Sequence, residues 1–246
     1  MFKTSKLKKV LTMVLALALI VGVCGFKGAA PASAATSKVS LYSSSVHFAK
    51  YGGRSFEVFI KTTGNASDEK VTVHYQYFSD SEWQDANAVY METLSDGSKI
   101  WRAYFSSFSC KYAIKYEADG EVYWDNNNGN DYNGDEVIGS APVAVERLGS
   151  QYDYSNYKIN AVVKNFAYNK NVVVRYTTDG WKTYKEQNLS YNKTNKDGSE
   201  TWTTSINVKD VVSDDFEYAI RYEVNGNTYW ANYCGFNYDF GYSIHH

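Results

Sequence analysis

The stretch EYAIRYEVNGNTYW (Glu217–Trp230) decides the fold, because it holds one strand pattern, a tight turn and the start of a second strand. Apolar and polar side chains alternate before the turn, which is typical of a strand with one buried face. Asn225 and Gly226 supply the positive φ angles of a type I′ turn, so the chain returns as a hairpin. The two-residue turn fixes the register and places Trp230 opposite Arg221, facing away from the core.

A related stretch, KYAIKYEADGEVYW, occupies residues 111–124. The same reasoning pairs Lys115 with Trp124 and directs this tryptophan outward as well. Recurrence at a spacing of about 100 residues indicates two copies of one domain. Each copy continues into a polar loop, YWDNNNGNDY in the first and YWANYCGFNY in the second. An outward indole beside asparagine amides suits a sugar, whose apolar C–H face can lie on the ring.

Short strand patterns fill the rest of both repeats. They cover 39–42, 55–62, 70–77, 89–94, 99–105, 111–118 and 122–124 in the first repeat, and 157–164, 171–176, 185–187, 199–206, 217–224 and 228–231 in the second. Turn residues separate them, and no helical period stands out. The sequence therefore predicts an all-β protein with two immunoglobulin-like antiparallel β-sandwich domains in tandem. Trp101 and Trp202, in the middle of alternating runs, are expected in the cores.

The N-terminus predicts a secretory signal peptide over residues 1–34. Four lysines precede an uncharged apolar run over 11–23, and Ala32-Ser33-Ala34 forms a small-x-small cleavage site. The apolar run is short for a membrane-spanning helix, which needs about 20 residues. We therefore expect an extracellular protein with a first domain over 37–133, a linker over 134–142 and a second domain over 143–246.

Composition narrows the function classes. The formal net charge is −2, which gives no electrostatic reason to expect a nucleic-acid partner, or a membrane partner after signal removal. Aromatic residues make up 17% of the chain, with 23 tyrosines, and this excess predicts aromatic surface. Cys110 and Cys234 lie at non-equivalent positions, so two unpaired thiols are favoured over an inter-domain disulfide.

No catalytic or metal-binding pattern is evident. No G-x-S-x-G or phosphate-loop motif occurs, and the histidines lack metal-ligand spacing. The Asp- and Asn-rich segment 125–136 lacks the glycine position of a calcium loop. We therefore expect no enzyme activity, no cofactor and no metal, with a small hydrolase kept only as a third hypothesis.

The second repeat strings together NFAYNKNVVVRY (165–176), TDGW (178–181), TW (201–202) and FEYAIRYEVNGNTYWANY (216–233). In this order they resemble a family 21 carbohydrate-binding module, as in the starch-binding domains of fungal glucoamylases. The first repeat is similar to the YWDNN…NY signature of glycogen-targeting phosphatase subunits. The resemblance spans most of the chain after residue 34, and it implies a β-sandwich, α-1,4-glucan binding and no catalysis.

The resemblance also implies which residues bind sugar. The main site falls on Trp124 and Trp230, and a loop tryptophan of that site matches Trp181 and, less directly, Trp83. The polar loop matches Asn126, Asn127 and Asn128 in the first repeat, and Asn232 and Asn237 in the second. A second family site matches Tyr168, with Tyr191 as a contributor, whereas the first repeat has no aromatic residue over 65–67.

The sequence thus predicts a secreted, non-catalytic protein that binds starch, glycogen or maltooligosaccharides through aromatic platforms in two repeats. The alternative is a protein-binding or adhesive pair of immunoglobulin-like domains. Starch or a related α-1,4-glucan is the expected partner, and membership of a larger amylolytic assembly stays open.

Overall fold

The computed structural model describes residues 37–48, 54–134, 136–146, 152–153, 155–209, 211–212 and 215–240. Residues 37–246 form one compact unit. The predicted signal peptide lies outside the described residues. The predicted all-β architecture is confirmed, with antiparallel sheets that form two β-sandwiches, one for each repeat.

Eight strands lie in the part of the first repeat that the structure describes. They are β1 (Val39–Phe48), β2 (Arg54–Thr62), β3 (Lys70–Gln76), β4 (Trp83–Asn87), β5 (Val89–Thr93), β6 (Lys99–Ser107), β7 (Tyr112–Ala118) and β8 (Glu121–Asp125). One sheet has the order β1-β2-β6-β5 and the other has the order β4-β3-β7-β8. A short 3-10 turn, Asn127–Gly129, follows the second sheet.

The second repeat has the same plan. Its strands are β9 (Val143–Glu146), β10 (Tyr152–Asp153), β11 (Asn156–Val163), β12 (Lys170–Thr177), β13 (Lys185–Asn188), β14 (Ser190–Thr194), β15 (Glu200–Asn207), β16 (Glu217–Val224) and β17 (Asn227–Ala231). One sheet runs β10-β11-β15-β14 with β9 also paired to β11, and the other runs β13-β12-β16-β17. A 3-10 turn, Tyr233–Gly235, follows β17.

Both predicted hairpin registers are confirmed. Trp230 pairs with Arg221 and Trp124 pairs with Lys115, as the two-residue turns require. The sequence patterns missed four strands, namely β4, β9, β10 and β14. Strands β4 and β14 lie at sheet edges and carry mostly exposed side chains, so their sequences lack the alternation that marks a half-buried strand.

Aromatic side chains fill much of both cores. Tyr112 and Tyr116 on β7, like Tyr218 and Tyr222 on β16, are almost completely buried between the two sheets of their sandwich. A tyrosine brings a large apolar ring into a small core, and its hydroxyl needs a partner or an outlet to solvent. The Tyr222 hydroxyl donates a 2.6 Å hydrogen bond to the carbonyl of Lys164. Part of the tyrosine excess therefore lies in the cores.

The predicted linker lies along β1 of the first repeat. The Ser44 amide donates to the carbonyl of Val137 at 2.9 Å, and Ser43 forms a bridge with Ile138. Ile138 and Ala141 are buried against residues of β9 and β11. The described part of this segment is thus an ordered connection that packs against both sandwiches.

A second contact joins the repeats through Tyr233, which follows β17. Its ring packs edge-on against Phe59 of β2, with 5.5 Å between ring centroids. Its hydroxyl accepts a 2.7 Å hydrogen bond from Arg102 and donates to Glu57. Burial beside Glu57 raises the pKa of Tyr233 well above that of a free tyrosine. The two sandwiches therefore share a small buried contact.

No disulfide joins the described cysteines Cys110 and Cys234, in agreement with the sequence expectation. Burial raises the pKa of the Cys234 thiol, which disfavours the thiolate. Among the described residues, no helix is long and apolar enough to cross a membrane.

Candidate functional site

The two outward tryptophans lie on equivalent sheets. Trp124 on β8 is 48% exposed and Trp230 on β17 is 39% exposed. Each belongs to the last strand of its sheet, on the face away from the core, because the hairpin places it opposite an outward Lys115 or Arg221. The structure therefore places an exposed indole at the same position of both repeats.

In the second repeat Trp230 lies in a shallow cleft. The cleft is lined by Arg175, Trp181, Ala219, Trp230, Asn232 and Asn237. The Arg175 guanidinium lies 5.1 Å from the Trp230 ring centroid, within cation–π distance. Four of these six residues are predicted site residues, so the structure brings Trp181, Trp230, Asn232 and Asn237 together.

The Glu217 carboxylate orients two of the side chains that line this cleft. Its carboxylate accepts a 2.6 Å hydrogen bond from Trp181 Nε1 and a 2.9 Å bond from Asn237 Nδ2. Hydrogen bonds to a charged acceptor are stronger than neutral ones, so both side chains are well oriented before any ligand arrives. Sequence analysis missed Glu217 because it starts an ordinary strand pattern.

The loop that carries Trp181 is fixed by its own hydrogen bonds. Trp181 has a φ of 63°, a conformation that is unusual for a bulky residue. Its amide donates to Thr177 Oγ1 at 2.9 Å, and Asp179 accepts bonds from Thr177 and Thr183. The bonds from Thr183, followed by that from Thr177, lower the pKa of Asp179 to about 2. The TDGW motif is therefore a rigid support for the indole.

The first repeat builds a different aromatic wall. Trp83 stacks on His74 with 4.8 Å between ring centroids, and His74 meets Trp124 edge-on at 5.7 Å. The Nζ atom of Lys111, the residue directly before β7, lies 5.7 Å from the Trp83 ring centroid. His74 is further held by a 2.6 Å contact between its Nδ1 and the Asp85 carboxylate. The predicted residues Trp83 and Trp124 are thus joined through a histidine.

Strand pairing shows which residues correspond between the repeats. His74 pairs with Ala113, and Arg175 pairs with Ala219, so Arg175 stands where the first repeat has His74. The same register places Tyr184 at the position of Trp83. Trp83 is the first residue of β4, and Tyr184 directly precedes the first paired residue of β13.

Tyr184 is 59% exposed and its ring lies 4.7 Å from the Arg175 guanidinium. Trp83 and Trp181 therefore occupy non-equivalent places, although the sequence motif matched both to one loop tryptophan. Sequence analysis missed His74, Arg175 and Tyr184. The first two lie at outward positions of strands β3 and β12, where strand alternation could have identified them.

The asparagine loop of the first repeat is largely self-supporting. Asn126 Oδ1 accepts from the Gly129 amide at 3.0 Å, and Asn127 Nδ2 donates to the Asp131 carbonyl at 3.1 Å. Asn128 is exposed and adopts a φ of 56°. Asn126 and Asn127 therefore shape the loop, whereas Asn128 presents its side chain to solvent.

The loop of the second repeat keeps this backbone with other residues. Asn232 Oδ1 accepts from the Gly235 amide at 3.3 Å, as Asn126 does in the first repeat. Tyr233 and Cys234 adopt φ values of 53° and 54°, where the first repeat has Asn127 and Asn128. Left-handed backbone costs about 1–2 kcal/mol for most residues but is tolerated by asparagine. The second loop is thus the costlier of the two to form.

The aromatic residues of the second predicted site, Tyr168 and Tyr191, are both exposed, to different degrees. Tyr168 is 97% exposed in the loop between β11 and β12, and Phe166 nearby is 47% exposed. Tyr191 is 52% exposed and packs edge-on against Trp202 at 6.1 Å. The assignment of Tyr168 to a second sugar site, with Tyr191 as a contributor, stays a prediction.

Tyr90 and Trp101 of the first repeat form the same edge-on pair, at 5.8 Å, with Tyr90 51% exposed. The sequence motif missed Tyr90 because it sought an aromatic residue only over 65–67. Trp101 and Trp202, expected in the cores, are partly buried and pack against the edges of the cores. Each therefore supports an exposed tyrosine on the outside of its sandwich.

No group of three His, Cys, Asp or Glu side chains that could hold a metal occurs among the described residues. In the Asp-rich segment, Asp125 instead accepts hydrogen bonds from the Leu41 amide at 2.8 Å and from the Tyr132 hydroxyl at 2.7 Å. Burial, followed by this bond to Asp125, raises the pKa of Tyr132. Asp125 thus has a structural role at the start of the loop.

The second repeat, which contains the Trp230 cleft, also matches a known protein family. A family model described as carbohydrate/starch-binding module (family 21) matches residues 138–241. Residues 138–241 are a family 21 carbohydrate-binding module. The match begins at residue 138 and does not include the first repeat, which shares the strand plan of the second and its exposed tryptophan, Trp124.

Curated relatives include mammalian regulatory proteins. Protein phosphatase 1 regulatory subunit 3C of Bos taurus is 34% identical over 80 residues, which cover 31% of this chain and 25% of the relative. Subunit 3B of Homo sapiens is 36% identical over 80 residues, covering 31% of this chain and 28% of the relative. The match spans only about a quarter of these relatives, in line with a family 21 module inside a longer protein.

Two solved structures are similar to part of this chain. The starch-binding domain of Rhizopus oryzae glucoamylase, in complex with β-cyclodextrin and maltoheptaose, is 33% identical and covers 41% of this chain and 92% of that domain, with a TM-score of 0.35. The carbohydrate-binding module of the muscle glycogen-targeting subunit of protein phosphatase 1 is 24% identical and covers 40% and 73%, with a TM-score of 0.34.

Proposed function

We propose that this chain is a secreted, non-catalytic α-glucan-binding protein with one platform site in each repeat. The observation that carries the proposal is the equivalent exposure of Trp124 and Trp230 on the outer faces of corresponding sheets. An exposed indole can stack on the apolar face of a glucose ring, and the neighbouring polar groups can bind its hydroxyls. Membership of the second repeat in family 21 supports a carbohydrate ligand.

Two sites explain why the domain is duplicated. A shallow platform is expected to bind weakly, about −4 to −6 kcal/mol, which corresponds to millimolar to tens of micromolar affinity. Two linked sites on one polymer gain on the order of 10²–10⁴ in avidity when both engage. Starch, glycogen or a related α-1,4-glucan, with many repeated binding positions, is the ligand class that such a protein exploits best.

The test is native gel electrophoresis with and without amylopectin. The full chain should be retarded, Trp124→Ala and Trp230→Ala should each reduce the retardation, and the double variant should abolish it. Tyr104→Ala, which removes another exposed aromatic side chain from the first repeat, is the matched control and should behave like the wild type. Undiminished retardation of the folded double variant would show that these tryptophans are not the binding sites.

The absence of catalysis is part of the proposal. Family 21 is described as a binding module, and the cleft of the second repeat is bordered by Trp, Arg and Asn side chains without a pair of acids. We expect no release of reducing sugars from starch over long incubation. Release of reducing sugars faster than in a heat-inactivated control would contradict the proposed absence of catalysis.

Secretion is supported by residues 1–34 of the sequence, with their lysines, apolar run and cleavage motif. Mass spectrometry of the exported protein should give Ala35 as its first residue. Because this location separates the chain from an intracellular phosphatase, no phosphatase partner is proposed despite the names of the relatives. Association with a larger amylolytic assembly is an open extension, to be tested by co-purification.

A protein-binding role is the second candidate, favoured by an aromatic patch in the first repeat. Phe78 and Phe108 are 49% and 43% exposed and stack with centroids 5.2 Å apart, and Tyr77 packs edge-on against both. Exposed aromatic clusters are enriched at protein interfaces. Competition separates the two candidates, because maltooligosaccharides should displace a glucan from the tryptophans but should not disturb a protein bound to this patch.

A further inference from the structure

The loop that borders the second-repeat cleft is anchored in the first repeat. Tyr233 is only 6% exposed, and its side chain leaves its own sandwich to pack against Phe59. Its hydroxyl accepts from Arg102 at 2.7 Å and donates to Glu57. The Arg102 guanidinium also lies 5.9 Å from the Tyr233 ring. One side chain of the second repeat is therefore held by three residues of the first.

The first repeat supports the equivalent loop in another way. Asn127 stands at the position of Tyr233, and its side chain donates to the Asp131 carbonyl at 3.1 Å and lies 3.4 Å from Glu136. These partners belong to the same loop and to the segment directly after it. In the second repeat this local bond cannot form, because a tyrosine has no amide to donate. The support within the loop has been replaced by a contact between repeats.

The ends of the anchored loop are themselves part of the cleft. Asn232 directly precedes Tyr233, and its carbonyl accepts from the Asn237 amide at 2.8 Å. Both asparagines line the cleft with Trp230, so the position of Tyr233 is tied to the position of its polar groups. Two further side chains of the first repeat, Tyr42 and Glu92, line a neighbouring crevice together with Trp230.

We infer that the first repeat positions the α-glucan site of the second repeat by holding Tyr233 between Glu57 and Arg102. This inference rests on the proposed function of the Trp230 cleft. It assigns Tyr233 as a positioning residue, which acts through Asn232 and Asn237 and does not touch the sugar. It differs from avidity, because it concerns the affinity of one site for one short maltooligosaccharide.

The test uses the full chain with Trp124→Ala, so that only the second repeat binds at its main site. Maltoheptaose is titrated by isothermal calorimetry. Adding Tyr233→Ala should raise the Kd by about fivefold or more, because the binding-competent loop is then populated only part of the time. Adding Tyr233→Phe, which keeps the ring against Phe59 but removes the hydroxyl that bonds Glu57 and Arg102, should give a Kd between those of Tyr233 and Tyr233→Ala. Adding Tyr104→Ala should leave the Kd unchanged.

A second variant places the change entirely in the first repeat. Glu57→Gln with Arg102→Met removes both charged partners of Tyr233 together, so that neither is left as an unpaired buried charge. It should weaken maltoheptaose binding at Trp230, although it alters no residue of the second repeat. Hydrogen exchange provides a reading that does not depend on sugar: the Gly235 and Asn237 amides should exchange faster, while the strand amides of β16 stay protected.

The outcomes are distinguishable. Unchanged Kd values in both the Tyr233→Ala and the Glu57→Gln/Arg102→Met chains, with the fold intact, would overturn the inference and leave the glucan site standing. If Trp124→Ala alone abolishes maltoheptaose binding, the second-repeat site is absent and the inference fails with it. If the wild-type chain binds neither maltoheptaose nor amylopectin, the proposed function itself is wrong.

Discussion

Glu69 and Lys170 occupy equivalent positions in the two repeats and carry opposite charges. Each lies two residues before a buried valine that faces the second core tyrosine of β7 or β16. Glu69 pairs with Lys99, whereas Lys170 pairs with Glu200 at 2.8 Å. Lys99 and Glu200 are equivalent too, since each stands two residues before the strand tryptophan. The same ion pair thus links the sheets of both sandwiches, with its signs exchanged.

Reversal of one charge in the second repeat should be costly, and reversal of both should not. The Lys170 side chain is only 2% exposed, so Lys170→Glu leaves two acids together in a buried place. Loss of one partner from such a pair costs about 3–5 kcal/mol. Lys170→Glu with Glu200→Lys reproduces the arrangement of the first repeat and should recover most of the free energy of unfolding, measured in urea.

An exposed pair provides the control for this experiment. Lys61 and Asp96 lie 2.8 Å apart, with the Asp96 side chain 57% exposed. Lys61→Glu should change the free energy of unfolding by about 1 kcal/mol or less, because solvent screens exposed pairs. Equal effects of Lys61→Glu and Lys170→Glu would contradict the importance of burial at Lys170.

Glu217 should matter for sugar binding although it is not expected to touch the sugar. Glu217→Ala removes the acceptor that orients Trp181 Nε1 and Asn237 Nδ2. Without this orientation the binding free energy for maltoheptaose should weaken by about 1 kcal/mol, which raises the Kd roughly fivefold. The measurement uses a chain that also carries Trp124→Ala. Glu121→Ala, which removes an exposed acid from the first repeat, should leave calorimetric binding unchanged. An unaltered Kd for Glu217→Ala would mean that Trp181 keeps its position without this bond.

Alkaline pH should weaken the contact between the repeats. Burial, followed by the nearby Cys234, Glu92 and Asp96, raises the pKa of Tyr42 from 10.0 to about 12. The pKa of Tyr42 is higher in the folded protein than in the unfolded chain. The contribution of Tyr42 to the free energy of unfolding is therefore complete below pH 10 and is lost as the pH rises from 10 towards 12. The loss reaches about 2–3 kcal/mol at pH 12.

Urea unfolding at a series of pH values tests this expectation. Tyr42→Phe keeps the ring but cannot ionise, so its free energy of unfolding should fall less between pH 10 and pH 12 than that of the wild type. The other buried tyrosines affect both chains equally and cancel in the comparison. Parallel curves for the two chains would show that Tyr42 does not contribute.

Gly139 should not tolerate a side chain. A Cβ atom at this position would lie 2.1 Å from the Leu41 carbonyl oxygen, where backbone must move to make room. Gly139→Ala should therefore lower the thermal midpoint by disturbing the packing of the connecting segment on β1. Gly120→Ala is the comparison, since nothing lies within 4 Å of its Cβ and only its φ of +75° opposes the change. That backbone cost is about 1 kcal/mol, so a larger effect at Gly120 than at Gly139 would contradict the clash.

The hairpins could be predicted in detail because their information is local. Asn225 and Gly226 fix the turn, the turn fixes the register, and the register fixes the direction of Trp230. These steps need no knowledge of residues far away in the sequence.

The features that the sequence did not reveal depend on distant residues. His74 joins the aromatic wall only because β4 pairs with β3, and β4 itself has no alternating pattern. Trp83 and Trp181 looked equivalent in a motif, yet strand pairing relates Trp83 to Tyr184. The burial of Tyr233 could not be read from its loop, since its partners belong to the other repeat.

The exchanged ion pair has a consequence for folding. A chain with two similar sandwiches can pair a sheet of one repeat with a sheet of the other while it folds, a known failure of repeated domains. Such a hybrid would bring Glu69 beside Glu200, and Lys170 beside Lys99. Two acids or two bases buried together repel strongly, whereas each correct sandwich joins opposite charges. The opposite arrangement of charges in the two repeats therefore favours pairing of each sheet with the sheet of its own repeat over pairing with a sheet of the other repeat.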